Sequence, residues 1–232
     1  MELPAMYYTR YAAAYVRGFA FQSKLSLPRT LLQKPLDELS IEETERILAT
    51  GKEAGLKLYR FKNKGSGLPR VKRVLGFLKS IQMENLLDVG SGRGAFLWPC
   101  LDTFPWLDVY SVDLLPHRAK LVNIVRAGGV SNISAVTGDI CSLSLPDKSY
   151  DIVTMLEVLE HISDPVKAVR SAVRIARKYV VISVPSKPDN NPEHIHLLSK
   201  DILTDIFNKA GCSRLNFDGV PGHLILFAVL AE

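Results

Sequence analysis

Cysteine is scarce: Cys100, Cys141 and Cys212 are the three in 232 residues. They are far apart and odd in number, so neither a disulfide framework nor a metal-type spacing such as C-x-x-C is available. A reducing, cytoplasmic setting is therefore expected. Long apolar runs are missing as well, and none reaches the length needed to span a bilayer, so no membrane partner is expected. The opening Met1-Glu2-Leu3-Pro4, followed by a stretch broken by Arg10 and Arg17, does not read as a secretory leader. Internal repeats and low-complexity tracts are absent, which excludes solenoid and array architectures. Acidic residues are lacking from one long stretch: Lys57 to Lys79 holds eight basic residues and no carboxylate.

What is present is a globular composition, 47% hydrophobic and 23% charged. The length suits one α/β domain with a sizeable core and a helical appendage. The net charge of +5 is unevenly placed, with a balance of +8 over residues 1–80 and −3 over 81–232. A basic run of this kind is usually a solvated face. Its functional alternative is a docking surface for an anionic substrate: a phosphate, a carboxylate or RNA.

Along the chain, residues 5–22 carry Tyr7, Tyr8, Tyr11, Tyr15, Phe19 and Phe21 at spacings of three and four, which predicts a helix. Such an aromatic stripe serves packing, or a lid over a pocket. Residues 23–39 read as a loop. Ser40 and Glu43 have capping-box spacing ahead of an apolar face running from Ile41 to Leu58. Residues 63–69 are a breaker-rich linker, and Val71, Val74, Leu75 and Leu78 form the face of a further helix. A division follows between an N-terminal helical extension or cap, 1–69, and a main domain, 70–232.

From Asn85 onward strand and helix alternate. Strands are expected near 85–90, 107–113, 133–138, 150–156 and 179–184, with helices near 94–104, 116–127 and 164–178. In the third helix Ser163 offers a hydroxyl cap, Asp164 an acid in the first turn and Pro165 a harmless first residue. Ser199 caps one more helix, stopped by Gly211. The chain closes on an apolar strand, 223–230, in a hairpin-like pair. This pattern predicts a mostly parallel sheet with an antiparallel strand added last.

The stretch organising the rest is Asn85-Leu86-Leu87-Asp88-Val89-Gly90-Ser91-Gly92-Arg93-Gly94-Ala95. It is an apolar strand, an acid near its end, then a glycine turn that lets a ligand approach the main chain. Gly90-x-Gly92-x-x-Ala95 also fits the looser dinucleotide fingerprint, so an NAD protein or a nucleotide-binding regulatory module is an alternative. The acid followed by G-x-G-x-G resembles motif I of class I S-adenosylmethionine (SAM) methyltransferases. That resemblance extends over about residues 70–232. It implies a Rossmann-like sheet of seven strands, mostly parallel with the last antiparallel, and SAM as cofactor.

The strand ends supply the remainder of the resemblance. Asp88, Gly90, Ser91, Gly92 and Gly94 would hold one part of the cofactor. Asp113 would accept both ribose hydroxyls, with Leu114 covering an adenine face. Asp139 would accept from the adenine amino group, while the N–H of Ile140 meets a ring nitrogen. Leu156 closes the fourth strand. For any single aspartate, and Asp139 above all, a helix cap or turn is the plainer role.

Leu156-Glu157-Val158-Leu159-Glu160-His161 resembles the E-V-L-E-H segment of ubiquinone-biosynthesis-type O-methyltransferases. It is also similar to the E-x-x-E-H of small-RNA 3′-terminal 2′-O-methyltransferases, where two glutamates, this histidine and a later one bind a divalent metal. A helical turn would put Glu157, Glu160 and His161 on one face, a mixed O/N set suited to Mg²⁺ or Mn²⁺. His194, in preference to His196, would be the fourth ligand. In the metal-free alternative Glu157 lines the cofactor mouth, and Glu160 and His161 bond each other and the backbone. Ile195-His196-Leu197-Leu198 lacks the aromatic, acidic continuation of the RNA family. The expected activity is methyl transfer to oxygen or nitrogen of a small molecule, with Glu157, His161 and His194 as catalytic candidates. The alternative substrate is RNA held by residues 57–79.

Overall fold

The computed structural model describes residues 8–62, 67–188, 190–212 and 214–230. Tyr7, at the start of the expected first helix, and residues 63–66 of the expected linker lie outside that set. Seven strands form one sheet: β1 Asn85–Val89, β2 Asp108–Asp113, β3 Ile133–Thr137, β4 Tyr150–Leu156, β5 Ala176–Pro185, β6 Arg214–Val220 and β7 His223–Val229. Their order is β3-β2-β1-β4-β5-β7-β6. β1 to β5 are mutually parallel, and β7 runs antiparallel to β5 and β6. The chain leaves β1 towards β2 and β3, then returns to build outward from β4. The crevice for a ligand in such a sheet lies where that order reverses, beyond the carboxyl ends of β1 and β4.

The central strands read as continuous apolar runs because both faces are covered. Leu86, Val109, Ile152 and Val181 pack towards one side, with α4 Pro69–Leu78, α5 Leu97–Thr103 and α6 Pro116–Ala127. Leu87, Val112, Val153 and Ile182 pack towards the other, with α7 Pro165–Ile175 and α8 Lys200–Lys209. The period of two along each strand divides neighbours between the faces.

The N-terminal helices, α1 Thr9–Gln22, α2 Arg29–Gln33 and α3 Ile41–Glu53, sit on the first of these sides. Tyr8, Tyr11, Ala12, Ala14 and Phe61 belong to the same buried cluster as the strand residues. α1 crosses α6 so closely that a Cβ on Gly18 would stand 1.8 Å from the Ile124 carbonyl oxygen, and one on Gly128 would stand 1.7 Å from that of Ala14. Arg17, buried at this crossing, donates to the carbonyls of Leu32 and Lys34 at 2.5 and 2.9 Å.

Several boundaries differ from expectation. α5 begins at Leu97 and not at 94, because residues 92–96 are used by the turn. α7 is capped by the Asp164 carboxylate, which accepts the Lys167 N–H at 2.9 Å, so Ser163 has no capping role. β5 starts directly at Ala176, where Arg177 and Lys178 reach the buried Asp151 at 3.1 and 3.2 Å. The capping box of α3 and the Ser199 cap of α8 form as the sequence implies.

Candidate active site

After β1 the chain makes three left-handed residues in alternation: Gly90 at φ 71°, Gly92 at φ 58° and Gly94 at φ 81°. A Cβ on Gly90 would lie 2.5 Å from Val158, and one on Gly94 would lie 2.0 Å from the Trp98 indole. Gly92 is less crowded: the nearest atoms to an added Cβ, Arg118 Nη1 and the Gly90 carbonyl oxygen, would stand at 3.7 Å, an ordinary contact distance. Its N–H donates to Asp113 Oδ2 at 2.9 Å, while Oδ1 of the same carboxylate accepts the Leu115 N–H at 3.0 Å. The Asp113 carbonyl accepts from Gly138 N–H at 3.1 Å. One aspartate thus fastens the ends of β1, β2 and β3 together. It is only 3% exposed, and Arg118 approaches it at 3.6 Å.

A carboxylate offers about four acceptor positions, so two backbone donors leave capacity for a diol. Leu114 beside it is 68% exposed, an apolar surface turned outward at the same edge. Asp139 is exposed, and its Oδ1 caps the short turn Ile140–Ser142 through the Cys141 N–H at 2.8 Å, the plainer of its two expected roles. Ile140 is buried beneath it, and Leu156 is half-buried at the end of β4. The Gly92 turn, the buried Asp113 carboxylate and the outward Leu114 are thus gathered at the ends of β1 and β2.

Asp88 and Ser91 take other places than expected. Asp88 lies beneath the turn, 2% exposed, and accepts hydroxyls of Ser91 at 2.5 Å and Thr154 at 2.8 Å. Ser91 Oγ also contacts Ser111 Oγ at 2.7 Å, so its side chain braces β1 against β2. Burial pushes the Asp88 carboxyl up to about 6, against the pull of the two hydroxyls, and Asp113 adds to the rise. A carboxyl raised on folding binds its proton more tightly in the native state. The associated stability is full below the unfolded carboxylate range and is lost as pH rises through about 6. Asp88→Asn should therefore remove a fall in stability of the order of 3 kcal/mol between about pH 4 and 6. Urea midpoints of both proteins across that window check this, and parallel profiles would refute it.

The segment after β4 departs most from expectation. Glu157 takes φ 57°, uncommon for a residue with a side chain. The turn that follows is 3-10, Leu159–His161, and does not include it. Glu157 therefore does not share a face with Glu160 and His161, and is not among the metal-type group. Its Oε1 accepts from Ser183 Oγ–H at 2.7 Å, and its Oε2 stands 3.0 Å from His223 Nδ1. Arg70 reaches both, Nε at 3.8 Å from Glu157 Oε1 and Nη1 at 3.4 Å from His223 Nε2. Ser183, His223 and Arg70 are not legible from sequence as partners of Glu157. They come from β5, β7 and α4, and no local spacing relates them.

Glu160, His161 and His194 do converge, each offering a ligand atom within 4.8 Å of the others. Glu160 is fully buried, and its carbonyl accepts the N–H groups of Ile195 and His196 at 3.0 and 3.3 Å, which hangs the histidine segment on this turn. His161 Nδ1 lies 2.9 Å from the Glu193 carbonyl, and its ring packs edge-on to His194 at 4.7 Å. His194, and not His196, joins the group. Three of the four expected donors thus meet, and Glu157 is the one that does not.

A doubly wound sheet of this order, with a glycine turn after β1 and an acid closing β2, defines the class I SAM-dependent methyltransferase fold. The family model described as a methyltransferase domain matches residues 87–183, the segment that runs from β1 into β5. Ajmaline N-methyltransferase of Rauvolfia serpentina is 28% identical over 130 residues, 50% of this chain and 44% of that protein. A probable SAM-dependent methyltransferase of Mycobacterium tuberculosis is 30% identical over 132 residues, 53% of this chain and 45% of that protein. The chain thus spans under half the length of these curated relatives. Among solved structures, a SAM-dependent methyltransferase from Aquifex aeolicus shares the fold, with TM-score 0.53 at 20% identity, covering 70% of this chain and 97% of that one.

Proposed function

We propose that the chain transfers a methyl group from SAM to a nitrogen or oxygen of a small-molecule acceptor, in a reducing, cytoplasmic setting suited to its free cysteines. No described helix is long and apolar enough to cross a membrane. One observation carries the reading. Gly92 N–H and the Asp113 carboxylate meet at 2.9 Å on adjacent strand ends, which supports a shared crevice for the contacts expected of the first two motifs. The N-methyltransferases among the relatives favour a nitrogen acceptor.

When bound, SAM supplies a methyl group already activated on a sulfonium. The chain's work is then alignment of the acceptor and removal of its proton. Asp113, braced by the Gly92 N–H, and the apolar Leu114 would hold the adenosyl part. Glu157 follows the carboxyl end of β4, and His223 opens the antiparallel β7 beside the carboxyl end of β5, where an imidazole beside a carboxylate can accept a proton. Residues 1–69 contribute one wall, through Tyr59 to Lys62. Calorimetric titration with SAM and S-adenosylhomocysteine tests the reading. One saturable site supports it, whereas absence of heat at millimolar cofactor, or preference for NAD, would end it.

Convergence of Glu160, His161 and His194 favours a second element, a divalent cation held by these three. It would lower the pKa of an acceptor hydroxyl. Titration with Mn²⁺ should give one saturable site that is lost in His194→Ala, and a flat titration of the wild type removes the metal. An RNA acceptor is less favoured, because Arg70 and Arg73 of the basic run are engaged with Glu157 and Asp218. It would require RNA binding that weakens steeply with salt.

A further inference from the structure

The basic run is not one surface. Arg70 and Arg73 belong to ion pairs within the fold. Arg60 and Lys62 do not, and they face Arg93 of the glycine turn across a cavity of about 420 Å³. Tyr59, Leu68, Gly94 and Ala95 also line it, and among the described residues the lining has no carboxylate. Among the described residues none of the three cations is in an ion pair.

Both walls hang on one side chain. The Trp98 indole N–H donates to the Arg93 carbonyl at 3.2 Å, and the Trp98 ring packs on Phe61 with centroids 5.1 Å apart. Phe61 is fully buried, and its carbonyl accepts the Tyr8 N–H at 2.8 Å. The backbones bearing Arg60, Lys62 and Arg93 are therefore fixed, although their side chains reach solvent. Like charges fixed round one space repel each other, and an anion placed between them turns that repulsion into attraction. Guanidinium and ammonium groups are the usual partners of phosphate and carboxylate. The volume falls in the small-ligand range.

We propose that this cavity is the anion subsite of the methyl acceptor, taking a phosphate or carboxylate carried by a small molecule while Tyr59, Leu68 and Ala95 receive its apolar part. The assignment to an acceptor rests on the methyltransferase reading above, and it commits the substrate class to anionic small molecules.

Inorganic pyrophosphate is the probe, titrated calorimetrically into the protein alone and into the protein saturated with S-adenosylhomocysteine. Saturable binding to one site with the same affinity in both states is expected. Lys62→Gln and Arg93→Gln should each weaken it by about tenfold, and Lys57→Gln, outside the lining, should leave it unchanged. Both tested side chains are exposed, so their replacement does not threaten folding. No saturable binding, or variants that bind like the wild type, would overturn the proposal. So would displacement of pyrophosphate by S-adenosylhomocysteine, which would assign the cavity to the cofactor's own carboxylate. A single-stranded RNA that competes with pyrophosphate and shows a multi-charge salt dependence would overturn it in favour of nucleic acid. Failure of S-adenosylhomocysteine itself to bind would strike the methyltransferase reading, while the pyrophosphate titration of the protein alone would still judge the cavity.

Discussion

Asp113→Asn should weaken S-adenosylhomocysteine binding by about a hundredfold or more, the equivalent of roughly 3 kcal/mol. The native carboxylate accepts two backbone N–H groups, from Gly92 and Leu115, one on each oxygen. An amide cannot do this. Whichever way it is flipped, its NH₂ faces one of those donors, and a nearly buried N–H loses its acceptor. The glycine turn is then no longer fastened to the end of β2, and the acceptor strength available to the ribose hydroxyls falls with the lost charge. Hydrogen bonds to charged groups contribute roughly 1.5–3 kcal/mol each, so two weakened ligand contacts account for the loss. Asp139→Asn is the comparison: that side chain is exposed and caps one short turn through one oxygen. Its effect should stay under about tenfold. Equal affinities for wild type and Asp113→Asn, measured calorimetrically, would dismiss the crevice at β1 and β2 as the cofactor site.

Gly128→Ala should cost about 3 kcal/mol or more of folding stability. The backbone there has φ −79° and ψ 3°, which alanine adopts freely, so strain is not the cause. The added methyl carbon would stand 1.7 Å from the Ala14 carbonyl oxygen and 2.9 Å from its Cα. These are backbone atoms of a facing helix, and α1 can escape only by lifting off α6. Tyr8, Tyr11, Ala12 and Ala14 would then lose burial together. Gly76→Ala, in α4, provides the opposite sign. Nothing lies within 4 Å of its added carbon, and alanine in a helix gains about 0.5–1 kcal/mol over glycine. Urea unfolding of the two variants side by side is decisive. Similar midpoints would mean that the α1–α6 crossing is looser than drawn.

The sheet was legible because its central strands are buried on both sides and therefore predominantly apolar in sequence, and because breaker or capping residues such as Gly90, Pro116 and Pro165 follow them. Gly90, Gly92 and Gly94 all adopt positive φ, the conformation for which glycine is the natural choice, so the turn could be placed from spacing alone. Contacts between distant segments could not. Glu157 was expected beside Glu160 because helical spacing was assumed, whereas its φ of 57° turns it towards Ser183 and His223. Nothing local to Glu157 announces that. Likewise Gly18 and Gly128 look like ordinary glycines in apolar stretches, and only the crossing of α1 over α6 gives them a role. β6 had no range of its own, since Arg214–Val220 becomes a strand by pairing along β7.

Trp98 has a practical consequence. The protein has two tryptophans, and the other, Trp106, is 66% exposed. Iodide should extinguish emission from the surface indole and leave the interior one glowing. Because that interior ring touches both sides of the cationic hollow, its residual fluorescence becomes a built-in gauge of occupancy, readable without any label.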